Sequence, residues 1–70
     1  MGGIAAIGEA VRVQGLGLAG VLVLPGEDDD QVRARWSALS EDIAVVILTP
    51  RAAQALSEVG PGPLRVVMPG

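Results

Sequence analysis

The chain has 70 residues and a net charge of −3, so it allows one small domain and lacks the basic surface of a nucleic-acid-binding protein. Half of the residues are hydrophobic and Trp36 is the only aromatic one, so Ala, Val, Leu and Ile have to build the core. The absence of Cys, His, Lys and Tyr excludes disulfides and thiolate or imidazole metal sites, and it leaves few groups for acid–base catalysis.

Two short apolar segments predict the first two strands. Residues 4–7 end at a glycine, and residues 21–24 end at Pro25 and Gly26, a strong breaker pair. We predict a helix over residues 10–18, because two parallel strands need a crossover. Gly15 and Gly17 oppose this helix by about 1 kcal/mol each relative to Ala.

The second helix has the clearest signals in the chain. The acidic run at residues 27–30 complements the positive end of a helix dipole, and we expect Asp29 to pair with Arg33 one turn later. Val32, Trp36 and Leu39 then recur at helical spacing. We therefore expect Trp36 to lie in the core.

The central strand is predicted over residues 43–48, six apolar residues without polar alternation. Such a strand is expected to be covered on both faces, as in the middle of a parallel sheet. Thr49 and Pro50 then have the residue types of a helix N-cap and first turn. A third helix is predicted over residues 50–59, stopped by residues 60–63, and a fourth strand over residues 64–68.

These elements predict a single α/β domain over residues 1–70. The order β-α-β-α-β-α-β indicates a small open parallel four-stranded sheet, Rossmann-like or receiver-like. We predict the strand order 2-1-3-4, with helices on both faces.

Several features could be taken as signs of catalytic or cofactor chemistry, but the residues around them favour simpler interpretations. Residues 15–20 match G-x-G-x-x-G but precede the second strand, so close helix packing is favoured over dinucleotide binding. The acidic run lacks the spacing of a calcium loop. The chain also lacks the lysine and the strand-end aspartate of a phosphoryl receiver, and no base is available to activate Ser37, Ser40, Ser57 or Thr49. We therefore predict no catalytic, cofactor-binding or metal-binding residues.

Several segments, in this order, resemble the F subunit of the rotary V/A-type ATPases. They are Ile-Ala-Ala-Ile-Gly at residues 4–8, the glycine-rich residues 15–20, Asp-Ile-Ala-Val-Val-Ile-Leu-Thr at residues 42–49, and Leu-Arg-Val-Val-Met-Pro at residues 64–69. In two respects the chain differs from the family. Glu9 stands where members usually have Asp, and the usual C-terminal helical tail is absent, as in an N-terminal domain or a naturally short form.

The resemblance implies a non-catalytic central-stalk subunit on the cytoplasmic side, attached to the membrane only through the ATPase complex. Its implied partners are the D subunit, which is the coiled-coil rotor, and other subunits of the ATP-hydrolysing head. Its implied role is to couple or modulate hydrolysis with rotation and with proton or sodium transport.

The third helix adds a candidate partner surface, with Arg51, Gln54, Ala55 and Glu58 expected to face outward. A small surface of mixed charge suits the rim of a contact with a coiled coil. The alternative function is that of a small α/β domain that binds a nucleotide or another small molecule at Gly8 and the carboxyl ends of the strands.

Overall fold

The computed structural model describes residues 2–60 and 62–69, which fold into the predicted alternation of strands and helices. All strands are parallel and lie in the order β2-β1-β3-β4, which confirms the predicted α/β fold and its topology. The strands are β1 Gly3–Gly8, β2 Leu22–Pro25, β3 Ile43–Leu48 and β4 Leu64–Val67. The helices are α1 Ala10–Val13, continued by a 3₁₀ segment at Gln14–Ala19, then α2 Asp29–Ser37 and α3 Pro50–Ala55.

Helices α2 and α3 cover one face of the sheet and form the main core with it. The register places Ile7 beside Leu48, so the two side chains point to the same face, and both are buried there. Trp36 lies in this cluster, as predicted. The buried members of the cluster are Ile7, Val32, Trp36, Val46, Leu48, Ala52, Ala55 and Leu56.

The opposite face of the sheet is covered by α1 and the 3₁₀ segment. Both contact β2, and α1 also contacts β1. Ala6 of β1 and Val13 of α1 are fully buried. Helices therefore lie on both faces, as predicted.

The coverage of the central strand differs from the prediction. Val45 and Ile47 of β3, which point away from the main core, are only half-buried, and Ala44 is exposed. The prediction that both sides of this strand are fully covered is wrong on the α1 side. The reason is the connection itself: α1 and the 3₁₀ segment join β1 to β2 and lie over those two strands.

The first helix also differs from its prediction over residues 10–18. It has only four α-helical residues, after which the chain tightens into the 3₁₀ segment that contains Gly15 and Gly17. Close packing does not explain these two glycines, because a Cβ would meet nothing within 4 Å at Gly15 and only ordinary contact at Gly17. Gly20 ends the segment with φ of 82°, which favours glycine.

The other two helices begin as predicted and differ elsewhere. Asp28 caps α2 by accepting a hydrogen bond from Gln31 N, and two acidic residues follow in the first turn, as the dipole argument predicts. Arg33 forms its ion pair with Asp30 at 3.7 Å instead of with Asp29. Helix α3 ends at Ala55, four residues before the predicted end. Pro61, one of the residues predicted to stop this helix, lies outside the described residues.

Candidate functional site

The candidate functional site lies at the carboxyl ends of β1 and β3, which are neighbours in the sheet. Glu9 follows β1 and Thr49 follows β3. From this point α1 passes to one face of the sheet and α3 to the other. Ligands of open α/β sheets bind at such a switch point, so it is the first place to look for a site.

The side chain of Thr49 joins the two loops at the switch point. It is fully buried. Its hydroxyl donates a hydrogen bond to Glu9 Oε1 at 2.6 Å and accepts one from Ala52 N at 3.3 Å. Thr49 is therefore the N-cap of α3, as predicted, and its hydroxyl is already engaged on both sides.

Gly8 makes this close approach possible. A Cβ built on Gly8 would lie within 2.9 Å of three atoms of the Thr49 side chain. The carbonyl of Gly8 also accepts a hydrogen bond from Gly26 N at 2.8 Å, which holds the end of β2 against the same point. The glycine predicted to end the first strand is thus required by packing, and no ligand-sized gap separates it from Thr49.

Glu9 is held in its ionised form at the switch point. The hydrogen bond from Thr49 is the main cause that lowers the pKa of Glu9, and the charges of Arg12 and Arg51 lower it further, while partial desolvation opposes them. A carboxylate with a lowered pKa is a poor proton acceptor at neutral pH. The arrangement therefore suits a structural ionic contact better than general-base catalysis.

The acidic run at residues 27–30 contacts the start of α1, next to the switch point. Glu27 Oε2 accepts a hydrogen bond from Ala10 N, the first N–H of α1, at 2.8 Å, and Gln31 Oε1 in turn accepts one from Glu27 N at 2.8 Å. In dinucleotide-binding folds the N–H groups that follow the first strand face a phosphate. Here the first of them faces a carboxylate of the same chain.

The predicted partner surface on α3 is only partly outward. Arg51, Gln54 and Glu58 are exposed, but Ala55 is 5% exposed and belongs to the main core. The expectation that Ala55 faces outward is wrong, because it lies three residues after Ala52 and so shares the buried side of the helix. Partner binding by the other three residues stays a prediction.

Arg65 is the residue whose role the sequence did not reveal. Its guanidinium donates hydrogen bonds to the carbonyls of Leu56, Val59 and Gly60 at 2.8–2.9 Å, and its Cζ lies 4.6 Å from the ring centroid of Trp36. The available signal was a single arginine in an otherwise apolar strand. Arg65 therefore satisfies carbonyls of the segment that follows α3 and ties this segment to β4.

A second concave region lies at the amino ends of the strands. This open groove of about 850 Å³ is lined by residues that include Trp36, Ser37, Ser40, Glu41 and Pro63. Neither serine of this groove donates a hydrogen bond to Glu41 within residues 2–60 and 62–69.

The described residues contain neither a cluster of metal ligands nor a membrane-spanning helix. No group of three or more His, Cys, Asp or Glu side chains in residues 2–60 and 62–69 could hold a metal ion. The carboxylates of the acidic run point to different partners, since Glu27 accepts from α1 and Asp28 caps α2. In the same part of the chain, no helix has the length and apolar character needed to cross a membrane.

Comparison with known proteins does not identify a family. No protein-family model matches this sequence, and curated proteins give no significant match.

Proposed function

We propose that this chain is a non-catalytic central-stalk subunit of a V/A-type rotary ATPase or ATP synthase, equivalent to the F subunit. In this role it binds the coiled-coil D subunit of the rotor and couples or modulates ATP hydrolysis with rotation. It lies on the cytoplasmic side and reaches the membrane only through the complex. The proposal accounts for the order of the family-like segments at residues 4–8, 15–20, 42–49 and 64–69.

The observation that carries the proposal is the filled switch point between β1 and β3. Thr49 and Glu9 are bonded to each other there, and Glu27 occupies the first N–H of α1. A nucleotide would have to displace these contacts and bring its phosphates close to carboxylates, which repel them. This favours protein binding over the alternative of a nucleotide or small-molecule site.

The position of the resembling segments gives further support. Three of them form β1, β3 and β4, which are adjacent in the sheet. The resemblance thus falls on one continuous part of the fold, as expected for segments that are kept together by packing.

The test is co-expression of the full chain with the rotor D subunit of the same organism, followed by size-exclusion chromatography. We expect the two proteins to elute together in equal amounts. As the matched control, the isolated chain is titrated with ATP and with NAD to millimolar concentration while amide chemical shifts are recorded, and we expect no saturable shift. Separate elution from the D subunit, or saturable shifts around Gly8 and Glu9, would contradict the proposal.

A further inference from the structure

The half of the sheet that α1 and the 3₁₀ segment leave uncovered is an apolar surface, which we call the bare face. The register aligns Val45 with Leu64 and Ile47 with Val66 across β3 and β4. It also aligns Ile4 of β1 with Val45. Aligned residues of parallel strands point to the same side, so these side chains form one surface. The bare face consists of Ile4, Val45, Ile47, Leu64 and Val66.

The bare face is accessible and carries no charge of its own. Leu64 is 66% exposed, and Ile4 and Val66 are 45% and 46% exposed. A contiguous apolar patch of a few hundred Å² on a small protein is often functional. Parallel sheets are also normally covered on both faces, so a covering element is expected here.

We propose that the bare face is the docking site for one amphipathic α-helix of a partner protein. The proposal rests on the proposed function, in which that helix belongs to the coiled-coil rotor D subunit. In this inference the bare face, and not the outward side of α3, is the main contact surface. The width and the area of the bare face indicate that a single helix occupies it.

The width of the bare face matches one helix. Its floor is formed by β3 and β4, with Ile4 at the start of β1 beside α1, and each strand occupies about 4.8 Å of the sheet, so the floor is about 10 Å wide. An α-helix with its side chains is about 10 Å in diameter. One side of the floor is bounded by α1, and Arg12 of α1 reaches across one end to Pro69 O at 3.0 Å. These boundaries form a trough in which a helix fits beside α1.

The area of the bare face argues against a second copy of this chain. A stable dimer of standard size buries about 800 Å² on each partner. Five partly exposed aliphatic side chains expose a few hundred Å², the size of one apolar patch. In a dimer formed through the bare face, the α1 of the second copy would also have to fit into the interface, because α1 and the bare face lie on the same side of the sheet. A single helix brings no such additional element.

The outward side of α3 is a poorer anchor for the same partner. The exposed residues Arg51 and Gln54 of α3, and Glu58 in the turn that follows it, are all polar or charged. Binding energy in interfaces is concentrated in buried apolar and aromatic contacts, while exposed charges at the rim contribute little. We therefore assign α3 to the rim of the interface at most.

The test compares Val66→Glu with Val67→Glu in the full chain. The two valines are neighbours in β4 and similarly exposed, at 46% and 53%, but they point to opposite faces. Affinity for the rotor D subunit of the same organism is measured by calorimetry, alongside the double variant Gln54→Arg/Glu58→Arg. We expect V66E to weaken binding at least about tenfold, because it places an unpaired charge under the helix, and the other two variants to change it less than about threefold.

A milder variant keeps the comparison usable if V66E does not fold. Val66→Thr preserves the shape of the side chain and is expected to weaken binding about threefold to fivefold, with unchanged circular dichroism. Sedimentation velocity of the wild-type chain alone tests the second copy. We expect a monomer at every concentration measured.

Three results would overturn the inference, and they are distinguishable. Wild-type affinity in V66E and V66T with loss of binding in the α3 variant would move the contact to α3 and leave the proposed function in place. A wild-type dimer that V66E dissociates would make a second copy the occupant. A wild-type chain that does not bind the D subunit at all would overturn both the inference and the proposed function.

Discussion

At the scale of single residues, Arg65 is expected to matter most for stability. Its guanidinium holds three carbonyls after α3 and stacks on Trp36. Arg65→Ala leaves those carbonyls without their donor, so we expect the free energy of unfolding to fall by about 2–3 kcal/mol in urea titrations. Arg65→Lys, which keeps the charge but not the fork of donors, should recover less than half of that loss. A fall below about 0.5 kcal/mol for R65A would mean that solvent replaces these contacts without cost.

Glu9 gives the fold a dependence on pH at the same scale. Its pKa is lowered in the folded chain, chiefly by the hydrogen bond from Thr49. The ionised carboxylate therefore stabilises the fold above the pKa of the unfolded chain, about 4.3, and this contribution is lost as the pH falls through the lower folded value.

Glu9→Gln removes this pH dependence while keeping an acceptor for the Thr49 hydroxyl. Wild type should be the more stable protein at pH 7, and its advantage over E9Q should shrink as the pH is lowered from 7 through the unfolded-chain pKa of about 4.3 and below. Urea titrations of both proteins across that range measure the difference. A constant difference would show that the charge of Glu9 contributes nothing to folding.

At the scale of secondary-structure elements, the junction of β1 with the loop before α3 is expected to tolerate no added methyl group. Gly8→Ala would push a Cβ into Thr49, so we expect a loss of about 1–3 kcal/mol in the free energy of unfolding. Adding Thr49→Ser to G8A removes one of the clashing atoms and keeps the hydroxyl, and it should restore part of the loss.

The matched control for this junction is Gly15→Ala in the 3₁₀ segment. A Cβ at Gly15 meets nothing within 4 Å, and its φ is not positive, so this substitution should be neutral or stabilising by up to about 1 kcal/mol. Chemical denaturation of both variants in parallel makes the comparison. Equal losses in G8A and G15A would contradict the packing role assigned to Gly8.

The central strand and the strand order could be predicted from the sequence, whereas the 3₁₀ segment could not. The bounds of β3, residues 43–48, were predicted as observed, because six apolar residues between Asp42 and the Thr49 cap leave little choice. The strand order followed from short right-handed crossovers. The 3₁₀ segment was missed, since the crossover argument requires a connection but does not specify its helical pitch.

The rest depended on contacts between residues far apart in the chain. The bond between Glu9 and Thr49 spans 40 positions, and the guanidinium of Arg65 lies over the ring of Trp36, 29 positions earlier in the chain. The sequence around Glu9 or Arg65 contains no local pattern from which its partner could be predicted. Ala55 was assigned to the wrong side, although it lies three residues after Ala52 and shares the buried side of α3 with it.

At the scale of the whole molecule, the two faces of the sheet are unequally covered. Helices α2 and α3 bury one face in the main core, whereas α1 and the 3₁₀ segment cover only the β1–β2 half of the other. The filled switch point and the uncovered apolar half together favour a domain that binds another protein through its sheet. This contrast is the physical basis of the proposed stalk role.

The most direct measurement of that role is capture of the tagged full chain from detergent-solubilised membranes of its own organism, followed by mass spectrometry. We expect the A and B subunits of the catalytic head and the D subunit of the rotor to be recovered with it in near-stoichiometric amounts. A matched capture with V66E tests the bare face in the same experiment and should lose all three partners together. Recovery of the wild-type chain without these three partners would contradict the proposed stalk role.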